Sequence, residues 1–143
     1  MINTNIDYSF LSKISHLVLH WSSDCNMLCK YCYIEKHHKI VTDYNKKIRN
    51  ALLNGSFLQN IFDIYDKYPE LKSQITGYSF WGAEPTINGD LFEKTHIALM
   101  DYFPNMETLC FSTNAFVGGE NIVKNFIKPM LNYNNTKKFS FDL

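Results

Sequence analysis

Short apolar runs alternate along the chain with longer amphipathic stretches, and the alternation predicts strand then helix, repeated. His16-Leu17-Val18-Leu19-His20-Trp21 reads as a short strand closed by polar Ser22-Ser23-Asp24. Thr42 or Asp43 is expected to cap a helix through Ile48, Leu52 and Leu53, broken at Asn54-Gly55-Ser56. Leu58, Ile61, Phe62 and Tyr65 recur at helical spacing, and Pro69 ends that region. Ile75 to Trp81 reads as a strand and Gly82-Ala83-Glu84-Pro85 as a loop. Asn88 or Asp90 caps a helix carrying Leu91, Phe92, Thr95, Ala98, Leu99 and Tyr102, closed by Pro104. Thr108 to Phe111 is a third strand, followed by Ser112-Thr113-Asn114. After Gly118-Gly119 comes a helix with Ile122, Val123, Phe126, Ile127, Met130 and Leu131 on one stripe, kinked or shortened by Pro129. Lys138 to Leu143 begins a fourth strand.

Strands separated by helices predict a parallel sheet with helices packed outside it, an open or closed α/β barrel. The helical stripes are expected to be plain core against the sheet. In such folds ligands bind where the C-terminal ends of the strands converge. The loops after the strands, Ser140-Asp142 included, should therefore share one rim.

Composition narrows the class. The 143 residues are 45% hydrophobic and 15% aromatic, enough for one domain with a sizeable core. Fourteen basic residues balance fourteen acidic ones, which argues against a broad nucleic-acid or anionic-membrane footprint. No apolar run approaches the roughly 20 residues that span a bilayer. Met1 to Phe10 lacks a basic start followed by an apolar core, so a cytoplasmic setting is expected.

The first loop carries the chemistry. Asp24-Cys25-Asn26-Met27-Leu28-Cys29-Lys30-Tyr31-Cys32 places three of the four cysteines within eight residues. In a reducing compartment, cysteines this close are more often metal ligands or catalytic groups than disulfides. Three thiolates hold three irons of a cubic iron–sulfur cluster and leave the fourth iron open. The rival is zinc completed by His37 or His38, although zinc knuckles usually pair gaps of two and here the gaps are three and two. His16, His20 and His96 are expected in structural or solvent-facing roles, and Cys110 as a small hydrophobe.

These motifs resemble the radical S-adenosylmethionine (radical SAM) enzymes. Cys25, Cys29 and Cys32 match that family's Cys-x3-Cys-x2-Cys signature, with aromatic Tyr31 before the last cysteine. Gly82-Ala83-Glu84-Pro85 resembles the Gly-Gly-Glu-Pro motif after the second strand. Ser112-Thr113-Asn114-Ala115 resembles the Ser-Thr-Asn-Gly segment, and Phe139-Ser140-Phe141-Asp142 the ribose-contacting fourth strand. The resemblance covers residues 16–143 as a core domain, the N-terminal part of a (βα) barrel, with 1–15 as an extension.

The resemblance implies a [4Fe–4S] cluster on Cys25, Cys29 and Cys32, with S-adenosylmethionine chelating the fourth iron. Reductive cleavage of the sulfonium gives a 5′-deoxyadenosyl radical that takes hydrogen from a substrate. An electron donor such as flavodoxin or ferredoxin is implied as a partner. The motif combination loosely resembles the peptide- and protein-modifying maturases and activating enzymes. By the same resemblance, Glu84 accepts a hydrogen bond from the methionyl ammonium and Gly82 lets the backbone approach the ligand. Tyr31 lies near the adenine, Ser112 and Asn114 meet the carboxylate or ribose, and Ser140 and Asp142 meet the ribose hydroxyls. Two positions depart from the pattern, Ala83 and Ala115 standing where the family has glycine. The family barrel usually has six strand–helix units, and this chain offers about three and a half. A fragment is the favoured reason, with truncation or a completing partner as alternatives. A non-catalytic zinc-binding module, and a half-barrel that binds a cluster without using S-adenosylmethionine, remain as other readings.

Overall fold

The computed structural model describes residues 13–27, 29, 30, 32, 39–114 and 138–142. Tyr31, His37, His38 and the expected helix from Ile122 to Leu131 lie outside them, as do Gly118-Gly119, Ala115 and the first twelve residues.

Four parallel strands form one sheet in the order of the sequence. They are β1 (His16–Ser22), β2 (Gly77–Gly82), β3 (Thr108–Ser112) and β4 (Lys138–Asp142). Between β1 and β2 run α1 (Lys39–Leu53) and α2 (Ser56–Asp66), then a 3₁₀ turn at Pro69–Gln74. Between β2 and β3 come a second 3₁₀ turn at Pro85–Asn88 and α3 (Gly89–Tyr102). The mixed α/β class with a parallel sheet is as expected from the alternation of elements.

One face of the sheet carries the core. Leu19, Tyr78, Phe80, Leu109 and Phe111 alternate onto that face, where they meet Tyr65 of α2 and Phe92 and Leu99 of α3. The rings interlock: Phe80 and Phe92 centroids lie 4.5 Å apart, and Phe92 and Phe111 meet edge-on at 5.0 Å. Such pairs add about 0.5–1.5 kcal/mol each beyond the area they bury. The opposite face, with His16, Val18, His20 and Trp81, is exposed, Trp81 to 59%.

His96 is fully buried on α3, where the Tyr78 hydroxyl bonds its Nδ1. Burial pushes the Tyr78 phenol well above its usual range. The structural role expected for His96 holds. His20 instead stacks on Tyr44 of α1 and bonds its hydroxyl at 2.6 Å.

Several boundaries differ from the sequence reading. Helix α1 starts at Lys39, so Thr42 and Asp43 lie inside it rather than capping it. Both side chains are exposed on that helix, which starts a turn earlier than its best sequence caps. Pro69 does not end α2, which stops at Asp66; it opens the 3₁₀ turn at a position where a missing N–H costs nothing. Asn88 precedes α3 without capping it, because its side-chain oxygen accepts from Arg49 of α1. The break at residues 54–56 is as expected, with Gly55 at φ 80°.

Gly77 opens β2 at the end of the sheet away from the cysteine loop. A Cβ there would lie 2.8 Å from His16 Nδ1 and 3.1 Å from Thr108 Cβ, both on neighbouring strands. Gly77→Ala is expected to cost about 1–3 kcal/mol, as overpacking does. A lower urea midpoint with metal uptake per folded chain unchanged is the expected result.

Candidate metal centre

Strand β1 delivers the cysteine loop through an irregularity. Its register with β2 is even from His16↔Gly77 to His20↔Trp81, then shifts so that Ser22 faces Gly82. An extra residue of this kind bends a strand end and re-aims the chain beyond it. The chain then passes through buried Ser23 to Cys25, Cys29 and Cys32, all free thiols and all half-buried.

Helix α1 holds the start of this loop. Asn45 Oδ1 accepts the Ser23 N–H at 2.9 Å, and Asn45 Nδ2 donates to Asp24 Oδ1 at 2.7 Å. The Asp24 carbonyl in turn accepts the Glu84 N–H at 2.9 Å, tying the loop after β1 to the loop after β2. Within the cysteine loop, the Met27 N–H approaches Cys25 Sγ at 3.4 Å and the Cys32 N–H bonds the Cys29 carbonyl at 3.1 Å.

Glu84 is the hub. A glutamate in a loop is ordinarily a surface residue, yet this one is only 2% exposed. Gly82 at φ 143° supplies the backbone angle that turns the chain into this loop. Glu84 then acts as the N-cap of the following 3₁₀ turn, with Pro85 in its first turn. Its Oε1 accepts from the Thr86 N–H at 3.1 Å, the Thr86 hydroxyl at 2.5 Å and the Thr113 hydroxyl at 2.7 Å. Its Oε2 accepts the Asn114 N–H at 2.7 Å. Each carboxylate oxygen offers about two lone-pair directions, so the three donors at Oε1 share two while Oε2 accepts one donor. Oε2 therefore keeps one not used by the described residues.

The loop after β3 closes the circle. Asn114 Nδ2 donates to Asn26 Oδ1 at 2.9 Å and approaches Cys25 Sγ at 3.8 Å. Ser112 is exposed at the end of β3, in register with Asp142, while Ser140 pairs one layer deeper with Cys110. Cys25, Gly82, Glu84, Ser112, Asn114 and Asp142 thus stand at the C-terminal ends of four adjacent parallel strands.

Three contributors to this rim carry no sequence motif of their own, Asn45, Asp24 and Thr86, while Thr113 lies within one without having been singled out. Thr113 has a readable signal, since its neighbours Ser112 and Asn114 flank a position that alternation with Phe111 would turn inward. Asn45 has none, because its partners lie 21 and 22 residues away.

Three half-buried thiols on one short loop make a soft donor set, suited to an iron–sulfur cluster or zinc rather than to hard ions. Among the described residues no three His, Cys, Asp or Glu side chains already converge as a metal site. Also among the described residues, no helix is long and apolar enough to cross a membrane. No family model, curated protein or solved structure matches the chain.

Proposed function

We propose that this chain carries the cofactor-binding part of a radical SAM iron–sulfur enzyme. The observation that supports it best is the hydrogen-bonded union of the cysteine loop, the Glu84 loop and Asn114 on one rim of a parallel sheet. A cluster with one iron open to S-adenosylmethionine would supply the low-potential electron that splits the sulfonium and yields the hydrogen-abstracting 5′-deoxyadenosyl radical.

The chain's own residues bind and orient. Cys25, Cys29 and Cys32 provide the thiolates. Glu84 Oε2 offers its remaining acceptor direction to the methionyl ammonium, a charge-assisted bond. Asn114 and Ser112 border the place for the carboxylate or ribose, and Asp142 and Ser140 extend that border along β4. Tyr31 contributes at the adenine. The substrate class that fits the motif combination best is a peptide or protein, with flavodoxin or ferredoxin as the electron donor.

The test is product analysis. The anaerobically reconstituted chain, reduced with dithionite and given S-adenosylmethionine, should form methionine and 5′-deoxyadenosine in equal amounts. A chain that holds its cluster and forms neither product contradicts the proposal.

A further inference from the structure

We infer that Asn114 is a positioning residue for Cys25, donating a side-chain N–H to its sulfur and so tuning the metal that the loop holds. The inference rests on reading the cysteine loop as a metal site, and it assigns Asn114 a task at the sulfur in addition to any contact with S-adenosylmethionine.

Cys25 lies inside a circle of hydrogen bonds running from Asn45 to Asp24, from Asp24 to Glu84, from Glu84 to Asn114, and from Asn114 back to Asn26 and Cys25. Members of that circle stand on α1 and at the ends of β1, β2 and β3. Among the described residues, the Cys32 N–H bonds the Cys29 carbonyl inside the turn that carries both. The circle fixes the Cys25 end of the loop against the ends of β2 and β3.

Asn114 is placed to affect the sulfur as well as the loop. Its backbone N–H is committed to Glu84, so its position does not depend on its side chain. Its side-chain amide carries two N–H bonds, enough to serve Asn26 Oδ1 and Cys25 Sγ together. Donors to a coordinating sulfur withdraw electron density from it, which raises the potential of a cluster and slows loss of the metal.

The experiment compares wild type, Asn114→Ala and Asn114→Asp, loaded with cobalt(II), a probe that reports on thiolate ligands whether the site takes a cluster or zinc. Asn114→Asp separates the two contacts. A turned Asn26 amide can still bond the new carboxylate, but that carboxylate cannot donate to sulfur. Thiolate-to-cobalt charge-transfer absorption should move to longer wavelength in Asn114→Ala and further in Asn114→Asp. Metal release to a chelator should quicken by about 10- to 100-fold in both.

Cobalt absorption in Asn114→Asp at the wild-type position overturns the inference and assigns the residue to Asn26 alone. Failure of the three cysteines to bind cobalt in wild type overturns it as well. If the shifts appear but no cluster forms on reconstitution, the sulfur contact stands and the radical SAM reading falls.

Discussion

Replacing Cys25, Cys29 or Cys32 singly with Ala is expected to abolish the cluster uptake that the proposed function requires. Wild type should take up about four irons and four sulfides per chain on anaerobic reconstitution, and each variant a small fraction of that. The effect is expected to be near total because two thiolates leave a cubic cluster with two unprotected irons. Cys110→Ala is the control. Cys110 lies within β3, opposite Ser79 of β2 and Ser140 of β4, and its loss should leave uptake unchanged. Iron, sulfide and zinc are all measured on each variant. Zinc retained by wild type in place of iron would favour the zinc-module reading.

Truncating Glu84 unfolds the rim. Glu84→Ala removes the acceptor for two hydroxyls and two backbone N–H groups that converge in a buried place. Each buried donor left without a partner costs about 1–3 kcal/mol, part of it relieved by water entering the space left behind. A net loss of about 3 kcal/mol is expected, a large share of the roughly 5–15 kcal/mol that stabilises an ordinary domain. The urea midpoint should fall by about 1–2 M. An unchanged midpoint would show that the Glu84 clasp contributes nothing to the fold. This prediction also alters how Glu84 is tested for ligand binding. Glu84→Ala confounds the ligand contact with the clasp. Glu84→Gln keeps the shape and an acceptor for the two threonines, and sets an amide beside the Asn114 N–H. It should stay folded with the cluster in place while S-adenosylmethionine binds about tenfold more weakly, the loss expected for one charge-assisted bond.

The sheet was legible in the sequence because a strand buried on one face shows itself residue by residue. Leu17 and Leu19, Tyr78 and Phe80, and Leu109 and Phe111 alternate with exposed or half-exposed neighbours, and parallel order follows from the helices between them. The shared rim was legible for the same reason, since each polar loop follows a strand. The helix starts were less readable. Thr42 and Asp43 lie inside α1, which begins at Lys39, and Asn88 gave its oxygen to Arg49. Glu84 was legible as a carboxylate in a special loop but not as a buried one. Its burial depends on Thr113 and Asn114, 29 and 30 residues away, and no local pattern encodes a partner at that distance. Asn45 is illegible in the same sense, being a polar residue on a helix that faces inward to hold the entry of the cysteine loop.

The measurement that bears most directly on the central claim is electron paramagnetic resonance of the reduced, reconstituted chain with and without S-adenosylmethionine. The account predicts a [4Fe–4S]⁺ signal whose shape changes when S-adenosylmethionine is added, because an iron without a protein ligand meets the cofactor. A cluster signal that is the same with and without S-adenosylmethionine, or no cluster at all on a folded chain, would contradict it.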